Sequence, residues 1–560
     1  MTDGLDRATS PALFERNLDA LREAQPELFE RIHWPVAGDR LQRDGQGRWI
    51  LHYRRMRLPL ALDPEARRAA LAPLAAGRRA LLFGLGLGEL ARALLEAEPA
   101  RELVAWERDP WILRQALGLT DWSEAIRAGR LRFLLGVDLL EVAGDFGPES
   151  LVVHPLLGQV YAGELRLARE GPSRRRALLC SGELFVDSVA DALRAEGFCL
   201  YTFDVQGLAV EELELTVRRF APELVFGINH VNGLAEFCAE RDLPSVIWEV
   251  DPATDALAPL TRPAPRTHVF SYRRANVAVY RDAGFEHVGY LPLAADPERR
   301  RPVEPSEDER RRYGAPLAFV GSSLRENAEA CRRAFAAQAV AVGLPAEEVG
   351  RAAEGVLAAQ REDLERYRVP ELVEATFPGL RRSCIARGLQ DPVILLSEVA
   401  AAEKRARWMA EVAPLGLDLW GDEGWRSVEG ARYRGPAGHD RELPLVYNAA
   451  RVHLDVGRLY QEDIVTMRVF DVLACGGFVL AERGPALAEL FELGVEVESY
   501  RGLAELRDKA AAFLADPESA RRVAERGRAA VLERHTISGR VRHMLQVLAA
   551  PRQAVSPGGS

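Results

Sequence analysis

One stretch of about thirty residues, from Arg451 to Leu480, alternates between the patterns of a strand, a loop, a helix and a second strand. Val452 to Val456 is a short apolar run suited to a buried strand, and the residues after it are polar as far as Asp463. Apolar residues then recur at helical spacing from Thr466 to Cys475, and a glycine pair follows where a helix would stop. Such a unit predicts a parallel, doubly wound sheet whose loop lies at the carboxyl edge, where these folds bind ligands.

The charged residues of this loop and helix suit a nucleotide sugar. Arg458 and Arg468 can bind diphosphate oxygens, and the N-terminus of the helix adds the positive end of its dipole. Asp463 and Asp471 can accept hydrogen bonds from hydroxyl groups of a ribose or a sugar. An ordinary surface loop with solvated charges is the competing interpretation, and this stretch alone favours neither.

The same stretch resembles the C-terminal domain of GT-B glycosyltransferases, in particular the CgeB-like branch of the group 1 transferases. That branch carries an Arg-x-Phe-Glu-x-Leu-Ala-x-Gly-Gly-like signature, and residues 468–477 read Arg-Val-Phe-Asp-Val-Leu-Ala-Cys-Gly-Gly. Asp463 and Asp471 have the spacing of the Glu-x7-Glu motif of many retaining GT-B enzymes, with Asp in place of Glu at both positions. The resemblance implies donor binding by Arg468 and Asp471 and a catalytic role for Asp463. We expect Arg468→Ala to abolish donor binding and leave the fold intact.

Composition restricts the class of protein. A chain of 560 residues is long enough for three or four domains, and a net charge of −10 argues against non-specific binding to nucleic acid. Six scattered cysteines without Cys-x-x-Cys spacing argue against a zinc ribbon or a disulfide framework. No apolar run reaches the ~18 residues of a membrane span, and the first residues lack the pattern of a signal peptide. These features predict a cytoplasmic protein.

A glycine-rich loop near the N-terminus is typical of a Rossmann unit. Residues 79–95 run from an apolar strand through Gly84, Gly86 and Gly88 into a helix, which lets the backbone approach a nucleotide. The next strand ends at Glu107, about 20 residues downstream, where a ribose-binding acid is expected. The pattern resembles a methyltransferase, which would bind S-adenosylmethionine, but lacks the Asn/Asp-Pro-Pro-Tyr loop. From Gly84 to His154-Pro155 it is closer to motility accessory factors, proteins linked to flagellin glycosylation. Nucleotide binding and a structural role are equally open.

Residues 176–312 contain six strand-like runs, mostly separated by helical patterns, which predict a second parallel sheet. Polar residues follow the predicted strands and would line one edge of a crevice: Ser181, Glu183, Asn229, His230, Asn232, Asp251, Ser271 and Tyr272. The segments 246–252 and 289–297 resemble pieces of the CgeB-like family. His230 and Asp251 are catalytic candidates, because an inverting transfer needs a group that accepts the proton of the acceptor hydroxyl. A structural histidine and a cap or turn before Pro252 are the alternatives.

A third α/β unit begins near residue 313. The loop Gly321-Ser322-Ser-Leu-Arg325 follows its first strand and suits phosphate oxygens. Residues 326–412 show helical patterns only, which predicts a helical insertion that acts as a lid or binds the acceptor. Trp425 is a candidate for stacking on the nucleotide base, with packing as the alternative. A last helix, Ser519–Leu548, is expected to return to the preceding unit, as in many GT-B enzymes.

The sequence thus predicts an α/β protein of several Rossmann-like, doubly wound domains. They are a helical lead-in at 1–75, a methyltransferase-like Rossmann domain at 76–175, a GT-B N-terminal (acceptor) domain at 176–312, a GT-B C-terminal (donor) domain at 313–548 and a disordered tail at 549–560. The predicted function is transfer of a sugar from a UDP- or GDP-sugar to a glycan or a protein such as flagellin. No metal or other cofactor is expected, since arginines and a helix dipole can stabilise the leaving diphosphate. S-adenosylmethionine-dependent methyl transfer, a bifunctional protein and a non-catalytic assembly factor are the alternatives.

Overall fold

A computed structural model describes residues 10–36, 40–53, 56–74, 77–180, 184–251, 257–439 and 441–550. Three parallel sheets follow one another along these residues, and helices alternate with their strands. The predicted class, α/β with several parallel sheets, is confirmed. The predicted edge residues Ser181 and Glu183, Pro252, and the tail from residue 551 lie outside the described residues. No helix within the described ranges is long and apolar enough to cross a membrane.

The first unit contains a four-stranded parallel sheet and a small antiparallel sheet, β1-β2-β3. Its helices are α1 (Pro11–Ala24), α2 (Pro26–Ile32), α3 (Pro64–Leu71), α4 (Glu89–Ala97), α5 (Pro110–Leu119), α6 (Ser123–Arg127), α7 (Leu157–Val160) and α8 (Ala162–Glu170). Its strands are β1 (Leu41–Arg43), β2 (Trp49–Tyr53), β3 (Met56–Pro59), β4 (Arg79–Phe83), β5 (Glu102–Glu107), β6 (Leu131–Leu135) and β7 (Leu151–Val153). The order β6-β5-β4-β7 is that of a Rossmann half.

The second unit is a six-stranded parallel sheet in the order β13-β12-β11-β10-β8-β9. Its strands are β8 (Arg176–Cys180), β9 (Cys199–Phe203), β10 (Leu224–Ile228), β11 (Ser245–Glu249), β12 (Thr267–Ser271) and β13 (His287–Tyr290). Its helices are α9 (Val186–Ala195), α10 (Val210–Phe220), α11 (Leu234–Glu240) and α12 (Arg274–Asp282). Every residue of β10 and β11 is buried, as expected for central strands of a parallel sheet that is covered on both faces.

The third unit holds another six-stranded parallel sheet, in the order β16-β15-β14-β17-β18-β19. Its strands are β14 (Leu317–Val320), β15 (Leu417–Trp420), β16 (Arg432–Gly435), β17 (Val452–Asp455), β18 (Val479–Glu482) and β19 (Glu498–Tyr500). Its helices are α13 (Glu307–Tyr313), α14 (Arg325–Ala341), α15 (Ala346–Arg361), α16 (Val369–Thr376), α17 (Leu380–Ala386), α18 (Pro392–Val412), α19 (Glu442–Ala449), α20 (Met467–Ala474), α21 (Pro485–Leu490), α22 (Gly502–Ala515), α23 (Pro517–Arg534) and α24 (Ile537–Ala549). Helices α14 to α18 occupy the stretch for which only helical patterns were found.

The C-terminal helix packs on the second unit. The predicted single helix 519–548 is wrong in one respect, because it breaks between α23 and α24 at His535 and Thr536. There Ala295 donates its N–H to His535 O at 3.0 Å, and Ile537 donates to Ala295 O at 2.9 Å. The break lets α24 lie against α9, with Val541 and Met544 buried in the same apolar cluster as α9.

The first and second units are packed against each other around a buried ion network. Arg31 at the end of α2 pairs with Asp138 and with Glu212 of α10, each at 2.6 Å, and its side chain is only 1% exposed. One apolar cluster contains Phe83 and Trp106 of the first unit together with core residues of the second. The two units therefore share a core.

Candidate functional site

The strand order of the third sheet reverses between β14 and β17, which makes the carboxyl ends of these strands a topological switch point. Arg468, in the first turn of α20, lies between the two strand ends. Its Nε donates to Val320 O at 2.7 Å, and its Nη1 forms an ion pair with Asp455. The guanidinium carbon is 4.2 Å from the centre of the Phe319 ring. Gly321 permits this approach, because a Cβ there would lie 2.5 Å from Arg468 Nη2.

Two further arginines reach the same switch point. Arg405 of α18 is buried, and it donates to Ser322 O at 2.7 Å and to Val456 O at 2.9 Å. Arg458, in the loop after β17, pairs with Glu398 of α18 at 3.1 Å. Burial, followed by the charges of Arg468 and Arg458, lowers the pKa of Arg405 to about 9, and Asp455 and Glu398 oppose this fall. Together with Arg468, Arg405 and Arg458 bring three guanidinium groups to this edge of the sheet.

Sequence reasoning missed Arg405, because it stands 51 residues before Val456 and outside any motif. Lys404 and Arg405 belong to the charged run 403–407 of α18, which is typical of a solvated helix face, yet both side chains are buried. Charged residues at buried positions are rare unless they are paired. Lys404 is indeed paired, at 2.5 Å, with Glu482 at the end of β18.

We name these groups the switch-point cluster: Glu398, Lys404, Arg405, Asp455, Arg458, Arg468 and Glu482. Glu398 accepts hydrogen bonds from Asn327 Nδ2 at 2.6 Å and from the hydroxyl of Tyr460. Glu482 accepts from the N–H of Gly457 at 3.0 Å. Four cations face three carboxylates, so the cluster has one net positive charge. An anion bound beside the cluster would compensate this charge.

The two acids of the predicted motif make contacts between units. Asp463 accepts from Arg273 Nη2 at 2.8 Å and from the N–H of Ala275 at 3.2 Å, at the start of α12 in the second unit. Asp471 is buried and pairs at 2.9 Å with Arg300, in the segment that joins the second and third units. Burial raises the pKa of Asp471, and Arg300 opposes the rise. Roles for either acid in sugar binding or catalysis would require these ion pairs to open.

Two further donor-site candidates, Ser322 and Arg325, lie in and directly after the loop that follows β14. Asp422 holds the loop, since it accepts from Ser322 Oγ at 2.7 Å and from the N–H of Ser323 at 2.7 Å. Arg325 is 58% exposed and pairs with Glu329 at 3.5 Å. Together with Ser323 it lines a cavity of about 260 Å³ between α14, α18 and the residues after β15. The geometry therefore gives Arg325 an exposed place on the rim of this cavity.

The contacts of Trp425 favour packing over the predicted stacking on a nucleotide base. The ring is 1% exposed and packs edge-on against Phe319, with ring centres 5.4 Å apart. Its Nε1 donates to Gly321 O at 2.7 Å. Trp425 therefore supports the loop after β14 from beneath, which is the packing alternative.

The edge of the second unit brings one catalytic candidate near the cluster. Burial raises the pKa of Tyr272 at this edge. Arg273 and Arg458 oppose the rise, and Glu249 and Asp251 add to it. Asn229 Oδ1 accepts from the N–H groups of Val250 at 2.8 Å and Asp251 at 3.1 Å, which orients the backbone before Pro252. Asp251 follows β11 and Arg273 follows the neighbouring parallel strand β12, so both lie at the same edge of the sheet, where Arg273 contacts Asp463 of the third unit.

His230 is packed as a structural histidine. Its ring lies edge-on to Tyr280 and Phe285, with centres 5.9 and 5.5 Å apart, and its Nε2 is 3.0 Å from Asn232 Oδ1. Burial lowers its pKa, and the hydrogen bond to Asn232 opposes this. These contacts favour the structural alternative over a catalytic role.

The glycine-rich loop of the first unit is packed against protein side chains. Gly84, Gly86 and Gly88 all have left-handed backbone angles. A Cβ at Gly86 would lie 2.7 Å from His154 Nε2, and one at Gly88 would lie 2.7 Å from a ring carbon of Trp122. Close packing, which only glycine allows, therefore accounts for this motif without a nucleotide.

Glu107, the predicted ribose ligand, is fully buried. Its Oε1 accepts from the N–H of Arg108 at 2.9 Å and from the hydroxyl of Tyr161 at 2.9 Å, and its Oε2 accepts from the N–H of Gly86 at 3.3 Å. Burial raises the pKa of Glu107 to about 7. The carboxylate is used to hold the loop, so the predicted contact with a ribose does not fit this arrangement.

Comparison with known proteins points to the third unit. A family model described as glycosyl transferase-like matches residues 400–546, which include Arg405, Arg458 and Arg468. No curated protein matches the chain. No group of three or more His, Cys, Asp or Glu within the described ranges is arranged to hold a metal ion.

Three solved structures are among those to which the chain is similar. Sucrose-phosphate synthase from Thermosynechococcus elongatus is 13% identical, with 67% of this chain and 98% of that chain covered and a TM-score of 0.41. Anabaena HepE in complex with UDP and glucose is 12% identical, with 67% and 100% covered and a TM-score of 0.39. The MAf glycosyltransferase from Magnetospirillum magneticum AMB-1 is 14% identical, with 52% and 57% covered and a TM-score of 0.20.

Proposed function

We propose that the chain is a glycosyltransferase of the GT-B type that uses a nucleotide-diphospho sugar as donor. The observation that supports this most is the convergence of three arginines at the switch point of the third sheet, inside the segment that matches the glycosyl transferase-like family. A diphosphate is the anion that suits such a cluster, because guanidinium groups bind phosphate oxygens strongly and with directional hydrogen bonds.

The donor diphosphate would lie between Arg458, Arg468 and the N-terminus of α20. Thr466, the residue before α20, donates its hydroxyl to Asp455 at 2.7 Å and does not cap the helix. The first turn can therefore offer backbone N–H groups to an anion, with the helix dipole in the favourable direction. The same groups would stabilise the charge that develops on the leaving diphosphate, so that the reaction proceeds without a bound metal.

Asp251 is the residue that we propose as the general base. In an inverting transfer the acceptor oxygen forms a bond to the anomeric carbon, the bond from that carbon to the diphosphate oxygen breaks, and the proton of the acceptor hydroxyl passes to the carboxylate. The position of Asp251 at the carboxyl edge of the second sheet, the edge that contacts Asp463 of the third unit through Arg273, supports this role. A carboxylate is suited to accept that proton in the transition state.

We propose a protein such as flagellin as the acceptor. The resemblance of residues 79–160 to motility accessory factors supports this choice, and so does the shared core that makes the first unit an extension of the acceptor domain. Co-expression with a flagellin, followed by measurement of its intact mass, is the test. We expect a mass increase of one or more sugar units, absent with Arg458→Ala. An unchanged flagellin mass with a catalytically active enzyme would reject this acceptor.

Isothermal titration with UDP, GDP and S-adenosylmethionine tests the proposed function. We expect UDP or GDP to bind, and Arg458→Ala to weaken that binding about tenfold or more, since a hydrogen bond to a charged group contributes roughly 1.5–3 kcal/mol. Arg507→Ala is the matched control, because Arg507 belongs to the same unit, is 54% exposed and pairs only with surface acids in the described residues. Binding of S-adenosylmethionine alone would favour methyl transfer, and binding of none of the three would favour an assembly factor.

A further inference from the structure

The last helix of the insertion, α18, contacts three of the loops that meet at the switch point. Arg405 bonds Ser322 O after β14 and Val456 O after β17, at 2.7 and 2.9 Å. Lys404 pairs with Glu482 at the end of β18. Helix α18 is buried over most of its length, and its charged side chains bond these loops. It is therefore an integral part of the third unit. This placement does not fit a movable lid, which was one of the roles expected for the insertion.

The bonds of Arg405 define how far apart the two loops stand. Its two Nη groups each take one backbone carbonyl, one from the loop Gly321–Leu324 and one from the loop that carries Arg458. The planar guanidinium fixes the directions of both bonds, which a single ammonium group cannot do. Arg468 is attached to the same region, because it bonds Val320 O. The distance between the two proposed diphosphate ligands, Arg458 and Arg468, therefore depends on Arg405.

The charge of Arg405 is held in an unfavourable place. The side chain is buried, and Arg458 and Arg468 repel it while Asp455 and Glu398 attract it. The ring of Phe319 lies 5.4 Å from its guanidinium carbon, and its Nε has no hydrogen-bond partner in the described part of the chain. A buried cation is costly unless its charge is compensated. An anion bound between Arg458 and Arg468 would supply compensation that the protein alone does not.

We propose that Arg405 is a positioning residue for the donor diphosphate. It sets the separation of the loops that carry the phosphate ligands, and the bound diphosphate in turn stabilises its buried charge. This inference rests on the proposed function, since it concerns the same donor site. It predicts that a bound diphosphate stabilises the folded protein through Arg405, and that a change at Arg405 weakens diphosphate binding.

Arg405→Lys and Arg405→Met test the inference, with UDP and inorganic pyrophosphate as probes in isothermal titration. We expect the affinity of the folded protein for both probes to fall about tenfold in Arg405→Lys, which keeps the positive charge but cannot make both hydrogen bonds. The affinity should fall further in Arg405→Met, which loses the charge and both hydrogen bonds. Arg407→Met is the control, because Arg407 lies on the exposed side of the same helix and bonds only Arg361 O at 3.2 Å in the described structure. The control should bind both probes as the wild type does.

Thermal unfolding separates positioning from a purely structural role. Pyrophosphate should raise the unfolding temperature of the wild type and of Arg407→Met, and the rise should shrink in Arg405→Lys. If Arg405→Lys folds and binds both probes with wild-type affinity, the inference is overturned, whatever the stability of the Met variant. If Met does not fold, the Lys variant decides. If the wild type binds neither probe and does not bind GDP either, the donor site itself is absent and the proposed function fails first.

Discussion

Replacement of Arg468 separates the stability of the switch point from its proposed affinity for a nucleotide-sugar donor. Arg468→Ala removes the ion pair with Asp455 and the bond to Val320 O. Asp455 is buried and keeps only the hydroxyl of Thr466 among its side-chain partners in the described residues. Loss of one partner of a buried ion pair costs about 3–5 kcal/mol. The side chain of Arg468 is 13% exposed, so we expect the lower end of this range. The expectation that Ala leaves the fold intact is therefore revised.

Arg468→Lys should behave differently. The ammonium group of lysine can still pair with Asp455, so most of the stability is retained. It lacks the planar set of donors with which a guanidinium can bond Val320 O and a phosphate at the same time. We expect UDP affinity to fall about tenfold, which corresponds to roughly 1.4 kcal/mol. Urea denaturation followed by tryptophan fluorescence measures the first effect, and isothermal titration measures the second. Arg507→Ala is the control for both. If Arg468→Ala unfolded at the wild-type urea concentration and bound UDP normally, the assigned position of Arg468 would be refuted.

Three further predictions concern residues whose contacts are now known. Trp425→Phe should leave UDP affinity within about threefold of the wild type while lowering the unfolding temperature, because Gly321 O loses a hydrogen bond worth about 1 kcal/mol; a large loss of affinity with unchanged stability would instead indicate base stacking. Arg31→Met should destabilise the protein by about 3–5 kcal/mol in urea titrations, because Asp138 and Glu212 lose a buried partner. Arg16→Met, which removes an exposed ion pair, should change the free energy of unfolding by less than ~1 kcal/mol. Equal effects of the two substitutions would contradict the buried network. Burial lowers the pKa of His453 from 6.5 to about 4, so the unfolded chain binds a proton at this residue at a higher pH than the folded protein does. The free energy of unfolding should therefore fall as the pH drops from about 6.5 to about 4. The urea midpoints at pH 7.5 and pH 5 measure this change, and His453→Gln should reduce the difference between them.

The sequence by itself determined the order of elements, because the periodicity that distinguishes a strand from a helix is set by neighbouring residues. The run 452–456 became β17, the helical spacing after Thr466 became α20, and the long helical pattern became α14 to α18. The glycines of the first unit likewise indicated a Rossmann turn, and β4 does lead through them into α4. Fold class follows from such local signals, since strands that alternate with helices pair in parallel.

Only the tertiary structure decided which charged groups meet. Asp463 pairs with Arg273, 190 residues earlier, and Asp471 pairs with Arg300, 171 residues earlier. Arg405 comes to the switch point from a helix that no motif connects with it. The physical reason is that a charge removed from water must find compensation, and the nearest partner in space is set by how whole units pack rather than by spacing along the chain.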